Sequence, residues 1–311
     1  MTAMDTTDLL REMEPAVEAN LNRHLKVAQE WMPHDYVPWG QGQDFVGDDG
    51  VEWDVEQSVL SPAARAAFEV NLLTEDNLPS YHYEVATAFG RDGAWGTWVH
   101  RWTAEEGRHA MAMRDYLVVT RAVDPVALER DRMATMQVGY SAEDKDALRA
   151  LAYVSFQELA TRISHRNTGK HSGDPVADKL LARIAADENL HMIFYRDLIR
   201  AALEIAPEQT VMAIAAEVIG FQMPGTGIPG FTRKGVRIAD AGIYDIRIHR
   251  DDVLMPVLRH WKVLDLTLST PEAQQAQADL AEHLEALEQL ALRHEERRDA
   301  RRERAAAKAG T

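Results

Sequence analysis

The sequence predicts an all-α fold, a four-helix bundle core with additional flanking helices, and three observations carry that expectation. Ala, Leu, Glu and Arg dominate long stretches of the 311 residues, while Gly (18) and Pro (12) are modest, a composition that favours helix. Apolar residues recur at helical spacing through much of the chain. Above all, one chemical pattern occurs twice. Glu75 is followed 31 residues later by Glu106-Gly107-Arg108-His109, and Glu158 is followed 30 residues later by Glu188-Asn189-Leu190-His191. A lone carboxylate and then E-x-x-H, in duplicate, is the donor set that four antiparallel helices need to hold two metal ions between them.

The elements follow in order. Residues 8–30 read as an amphipathic helix, with Leu9, Leu10, Met13, Val17, Leu21 and Leu25 at helical spacing. Trp31-Met32-Pro33 ends it, and residues 31–53 read as loop, rich in Gly, Pro, Asp and aromatics. Ser61-Pro62 supplies an N-cap and a first-turn proline, so a second helix opens there and is expected to reach about Gly90. Arg91-Asp92-Gly93 is a turn, and a third helix continues to about Arg121. Asp124-Pro125 opens a shorter helix. Another long one is expected from Ser141, capped there with Asp144 three residues on, to about Asn167. The segment 168–175 (TGKHSGDP) breaks the chain, and a long helix follows to about Ala206. Pro207 starts a helix to about Phe221, residues 222–249 read as irregular, and helices near 251–263 and from Pro271 onward complete the chain.

No low-complexity linker divides these elements, so one domain over residues 1–270 with a charged helical extension over 271–311 is the simplest organisation. The end, residues 293–311, is dense in Arg and Glu and is expected to fray into a disordered tail; the alternative is a contact arm for a partner.

Bulk properties narrow the chemistry. There is no cysteine, which excludes disulfides and thiolate metal sites. Any metal must use Glu, Asp and His, a set that suits iron or manganese better than structural zinc. The N-terminal residues are acidic and polar, without the basic-then-apolar run of a secretory signal. The longest apolar stretch, Val211 to Phe221, is interrupted by Glu217 and is too short to span a bilayer. These features point to a soluble, cytoplasmic protein. The formal net charge of −16 argues against a general nucleic-acid binder, and an acidic partner would need a local basic patch.

E-x-x-H alone is a weak signal, and any one of these residues could be an ordinary surface group. Placement strengthens it. The midpoint between Glu75 and Glu106 falls at Gly90 to Arg91, and that between Glu158 and Glu188 falls at Gly173, each on an expected turn. In an antiparallel hairpin, residues equally far from the turn lie at one height, here after an arm of roughly 23 Å. Each hairpin therefore brings its lone Glu level with its own E-x-x-H, where positions i and i+3 share a face. Two such hairpins packed together put all six side chains in one layer, a costly depth for charge unless it is paired or binds metal. Thr161, three residues after Glu158, would project toward that layer, and Asp187 could orient a ligand imidazole. His165 reads equally as a supporting group or as core, and packing is the default account of Trp31.

The strings Thr74-Glu75-Asp76-Asn77-Leu78-Pro79-Ser80-Tyr81, Trp102-Thr103-Ala104-Glu105-Glu106-Gly107-Arg108-His109, Ser155-Phe156-Gln157-Glu158-Leu159-Ala160-Thr161 and Ala185-Ala186-Asp187-Glu188-Asn189-Leu190-His191 resemble the soluble acyl-acyl-carrier-protein desaturases, fatty acid desaturases of type 2, and most of all their actinobacterial branch. The resemblance runs from Glu14-Pro15 to Arg259-His260-Trp261-Lys262. It implies a ferritin-like di-iron four-helix bundle in a cytosolic homodimer, with two Fe ions per subunit. The implied reaction introduces a cis double bond into a saturated acyl chain on acyl carrier protein, using O₂ and electrons from ferredoxin. Glu75, Glu106, His109, Glu158, Glu188 and His191 match the iron ligands, with Glu106 and Glu188 the candidates to bridge. Thr161 matches an active-site threonine, and Trp31, Asp187 and His109 match an electron route from the surface. Gly107 departs from the Asn common in plant members, and the C-terminal third resembles the family less.

Carrier docking needs basic residues; Arg23, His24 and Lys26, and Arg233, Lys234 and Arg237, are the candidates. Helix residues within 69–89 and 95–121, beside the ligands, are expected to line the acyl channel. Two other readings share the metal set, a ferritin-like iron-handling protein and a di-iron hydroxylase or N-oxygenase; a third, a degenerate non-enzymatic carrier-binding subunit, is opposed by the intact set of six.

Overall fold

A computed structural model describes residues 4–48, 50–142, 145–223 and 225–309, and no strand occurs among them. Helix α1 (Thr6–Val27) starts at Asp5, whose carboxylate accepts the Thr7 N–H, and buries Leu9, Met13, Val17 and Leu21. Leu25 lies outside this face and is exposed, while His24 turns inward. The chain then passes through short 3₁₀ turns to Ser61, which caps α2 (Pro62–Glu75) by accepting the Ala64 N–H.

The expected single helix over 62–90 is two helices. After α2 the chain breaks at Asp76-Asn77, and α3 (Leu78–Phe89) begins with Pro79 in its first turn. Pro79 has no N–H to give the Glu75 carbonyl four residues back, and its ring crowds that carbonyl, so the helical ladder stops there. Gly90, at φ 90° and ψ −178°, makes the turn into α4 (Gly93–Val119). Only glycine adopts that region readily. Asp124 accepts the N–H groups of Val126 and Ala127 to cap α5 (Pro125–Val138).

Helix α6 spans Ala147–Ser172, later at both ends than the sequence suggests. Its cap is Asp146, which accepts the Arg149 N–H at 2.8 Å, and Ser141 lies outside the helix; Asp144 is outside the described residues. Gly173, left-handed at φ 74°, ends it, and Asp174 caps α7 (Pro175–Ile205). Helix α8 (Pro207–Ile219) follows. Residues 222–249 are not irregular throughout: α9 (Phe231–Ala241) forms between Gly230 and Gly242, both left-handed. A short turn, α10 (Ile246–Ile248), passes through a π-helical turn (His249–Leu254) into α11 (Met255–Trp261). Helix α12 runs Pro271–Ala309, burying Ala273, Leu280, Leu284 and Ala291; the last two residues of the expected frayed end lie outside the described ones.

Two large apolar clusters fill most of the interior, and a third, smaller one joins Ala66 and Ala67 of α2 to Ile238 and Ile243. One large cluster holds Trp98 and Trp102 of α4, Phe156 and Leu159 of α6, and Met192 and Phe194 of α7. The other holds Leu72 and Leu73 of α2, Ala110 and Met113 of α4, and Leu181 and Ile184 of α7. Along α4 the change from one to the other falls between Trp102 and Ala110, and along α7 between Ile184 and Met192. The duplicated motifs occupy both gaps, so a polar layer separates two apolar ones.

Candidate metal centre

Four helices supply that layer. Glu75 is the last residue of α2, Glu106 and His109 lie on α4, Glu158 on α6, and Glu188 and His191 on α7. All six are buried. Their donor atoms form two groups, each within a 4.8 Å span: Glu75, Glu106, His109 and Glu188 in one, Glu106, Glu158, Glu188 and His191 in the other. Glu106 and Glu188 belong to both.

Both imidazoles turn Nδ1 into the layer. His109 Nδ1 is 3.0 Å from Glu188 Oε1 and 3.5 Å from Glu106 Oε2. His191 Nδ1 is 2.7 Å from Glu106 Oε1 and 3.5 Å from Glu158 Oε2. Yet Glu106 Oε1, Glu158 Oε2, Glu188 Oε1, His109 Nδ1 and His191 Nδ1 are buried without a hydrogen-bond partner. Unpaired oxygen and imidazole lone pairs converging in a dry layer are what a pair of divalent cations satisfies, and carboxylate with imidazole suits iron or manganese. The residues present fit such ions.

The outward sides of these groups are held by further side chains. Asp187 meets His109 Nε2 at 3.5 Å and accepts the Trp31 Nε1–H at 2.7 Å, with Arg183 and Arg108 beside it. The Trp31 ring stacks on His109, planes 15° apart and centroids 6.4 Å apart. His165 Nε2 lies 2.9 Å from Glu75 Oε1, and Asn71 lies 3.2 Å from its other nitrogen. Trp102 gives its Nε1–H to Glu158 Oε1 at 3.0 Å. Glu105 sits 2.9 Å from His191 Nε2. Sequence reasoning passed over Glu105, Trp102 and Asn71. Glu105 alone carried a signal, since it precedes its E-x-x-H as Asp187 precedes the other.

The charges of the layer are mutually strained in a way that a cation would relieve. Burial and the facing Glu75 and Glu158 carboxylates push Glu106 up to about 7. Burial and the Glu106, Glu75 and Glu158 charges raise Glu188 well above the ordinary carboxylate value. Burial would raise Glu75 too, but the facing His109 and His165 imidazoles hold it low. It would likewise raise Asp187, which the facing His109 imidazole, the Trp31 N–H and the charge of Arg183 hold at about 2. Burial would lower both imidazoles, and the surrounding carboxylates raise them instead.

Thr161 belongs to neither group. Its hydroxyl donates to the Gln157 carbonyl one turn back and accepts from the Gln157 side chain, each at 2.9 Å. Of the basic candidates, His24 is buried at 1% exposure and bonded to Glu105, so it is no surface docking group. Arg23 is tied to Asp197, and Lys234 to Glu69 and Asp131, whereas Lys26, Arg233 and Arg237 are exposed.

A cavity of about 360 Å³ opens beside the layer, reaching Glu75 and Glu106. Leu78, Tyr81, Val85 and Ala88 of α3 form one wall, and Ala150, Tyr153 and Val154 of α6 the other. Helix α4 contributes Trp102 and Glu106, so α6 replaces most of the α4 wall that the sequence suggested.

A helical bundle whose core carries two overlapping carboxylate–histidine groups defines a class, proteins built to hold a pair of metal ions between four helices. The family is shown by comparison. Residues 5–309 match the fatty acid desaturase family, and the chain belongs to it. It is therefore an enzyme of the oxidoreductase class. It is 52% identical over 281 residues to the acyl-[acyl-carrier-protein] desaturase DesA1 of Mycobacterium tuberculosis, covering 88% of this chain and 83% of that one. It is 30% identical over 289 residues to the chloroplastic stearoyl-[acyl-carrier-protein] 9-desaturase 5 of Oryza sativa subsp. japonica, covering 87% and 74%. The X-ray structure of the acyl-ACP desaturase DesA2 from Mycobacterium tuberculosis H37Rv aligns with a TM-score of 0.71 at 34% identity, covering 86% of this chain and 99% of that one. Among the described residues no helix is long and apolar enough to cross a membrane.

Proposed function

We propose that this chain is an acyl-[acyl-carrier-protein] desaturase that introduces a cis double bond into a saturated acyl chain at a di-iron centre. The observation that carries the reading is the pair of donor groups sharing Glu106 and Glu188 beside an apolar cavity. Glu75 and His109 would hold one iron, Glu158 and His191 the other, and Glu106 and Glu188 both. Two irons bound there supply O₂ activation, which no side chain can perform. Two vicinal hydrogens leave the acyl chain, and with two further electrons and two protons one O₂ becomes two waters.

The side chains do the rest. An acyl tail offers no polar handle, so the α3 and α6 walls must hold it at the right depth by shape alone. The apolar clusters above and below the layer keep bulk water from it. Asp187 faces His109 and accepts a hydrogen bond from Trp31, a line of contacts along which electrons from ferredoxin would enter. Thr161 lies one turn from Glu158 and is the candidate active-site threonine. The enzyme works in the cytoplasm as a homodimer, with Lys26, Arg233 and Arg237 as exposed cations for an acidic carrier.

Incubation of iron-loaded protein with acyl carriers of graded chain length, O₂ and reduced ferredoxin tests this. Mass spectrometry should show loss of two hydrogens. Gain of one oxygen would instead identify a hydroxylase or N-oxygenase. Iron release under reduction without acyl turnover would identify an iron-handling protein.

A further inference from the structure

The leading acid of each motif reaches across to the histidine of the other. Asp187 directly precedes Glu188, and its carboxylate meets His109 Nε2 at 3.5 Å. Glu105 directly precedes Glu106, and its carboxylate meets His191 Nε2 at 2.9 Å. Helical geometry makes this exchange natural. The residue before a donor points about 100° away from it, out of the metal layer and toward the neighbouring helix. There the outer nitrogen of the facing imidazole lies.

One short stretch of chain closes both arms. His24, in the last turn of α1, places Nε2 2.9 Å from Glu105 Oε2. Trp31, seven residues later, donates to Asp187 Oδ2 at 2.7 Å. Each ring also stacks on the histidine that its acid supports: His24 on His191 with centroids 5.8 Å apart, Trp31 on His109 at 6.4 Å. Glu105 is further anchored by Arg101 one turn back and by Arg108 at 3.8 Å.

We propose that Glu105, held by His24, is a positioning residue for the metal bound through His191, as Asp187 with Trp31 is for the metal bound through His109. The proposal rests on the two-metal reading above. A carboxylate that accepts the Nε2–H of His191 fixes the tautomer whose Nδ1 lone pair faces the layer, and Nδ1 is the atom turned to Glu106 and Glu158. The arms are alike in aiming a ligand and differ in their outer ends. One finishes on an oxidisable indole, the other on an imidazole. Both histidines are thus braced, and only the Trp31 arm suits electron entry.

Cobalt(II) titration of the metal-free full-length protein, followed by absorbance, tests this without turnover. The unaltered chain should take up two ions. Glu105→Leu should weaken one binding step by about 10–100-fold and leave the other unchanged. Glu105→Gln, whose amide oxygen still accepts from Nε2, should keep both steps within a few-fold. Added to His191→Ala, Glu105→Leu should have no further effect, whereas added to His109→Ala it should weaken the remaining step. General loosening of the bundle would not produce that selectivity. If Glu105→Leu fails to fold by circular dichroism, His24→Leu reads the same coupling with the carboxylate and its arginines in place. Equal weakening of both steps, no weakening, or coupling to His109 instead of His191 would overturn the proposal. An unaltered chain that binds fewer than two ions would sink the two-metal reading first, a result distinct from these.

Discussion

The two hairpins carry the same chemical pattern and are built differently. In the second, Glu158 lies in mid-helix, and α6 and α7 run unbroken on either side of the Gly173 turn. In the first, Glu75 is the last residue of α2, and the arm that should lead straight to Gly90 restarts as α3. The break adjoins the cavity, which lies between α3 and α6. The lone carboxylates are braced accordingly, Glu75 by His165 on another helix and Glu158 by the Trp102 indole. One pattern thus serves two mechanical roles. The continuous hairpin is a frame, and the broken one makes room for the cavity.

The largest effect should come where the two hairpins depend on each other equally. Glu106→Ala and Glu188→Ala each remove a donor common to both groups, so both irons should be lost. Turnover should fall by on the order of a thousandfold or more, the several kcal/mol that metal chemistry supplies. Iron content and product formation on the same samples check it. Retention of one tightly bound iron would show that the hairpins act separately.

A smaller effect isolates the broken arm. Ala150→Phe adds bulk to the cavity wall away from the six donors. It should lower kcat/KM for the longest accepted acyl chain by about 10–100-fold, through misplacement of the chain, and leave iron content unchanged. Equal loss for all chain lengths would mean that the cavity does not measure the chain.

The turns compare the hairpins through backbone alone, because an added Cβ at either glycine would meet nothing within 4 Å. Gly173, at φ 74° and ψ 0°, tolerates alanine at a cost of about 1–2 kcal/mol. Gly90, at φ 90° and ψ −178°, lies where only glycine is at ease, and Gly90→Ala should cost about 1–3 kcal/mol. Gly90→Ala should therefore lower the melting temperature further than Gly173→Ala, and the reverse order would contradict the geometry.

The smallest effect is one of pH on the metal-free protein. Glu106, raised to about 7, binds a proton that the unfolded chain has already released above 4.5, and the raised Glu188 acts the same way. The folded form then holds more protons than the unfolded, so stability falls as pH rises through that window. The raised imidazoles add in the same direction, since their contribution is lost as pH climbs through their folded values. Asp187, at about 2, and the lowered Glu75 lose their contributions only in more acidic solution. The melting temperature of metal-free protein should rise when pH falls from about 7.5 to about 5.5, and that of metal-loaded protein should not. Identical pH profiles would show that the layer is not strained without its ions.

The frame was legible in the sequence because its period and its turns are local. Gly90 and Gly173 sit at the midpoints of the donor spacings, and both are turns with positive φ. The break after Glu75 was written there too, as Asn77 with Pro79 two residues on, but residues compatible with helix on either side hid it. Helix α9 was missed because glycines flank it closely. The braces were mostly illegible for another reason. That His24 faces Glu105, or Trp102 faces Glu158, depends on how separate helices pack, and no spacing along one helix encodes it.

Anomalous diffraction at the iron edge from iron-loaded crystals asks whether both hairpins together hold two metal ions through six residues. Two peaks are expected in the layer between α2, α4, α6 and α7. One should lie beside Glu75 and His109, the other beside Glu158 and His191, and both within bonding reach of Glu106 and Glu188. A single peak, or iron bound outside that layer, would contradict that arrangement.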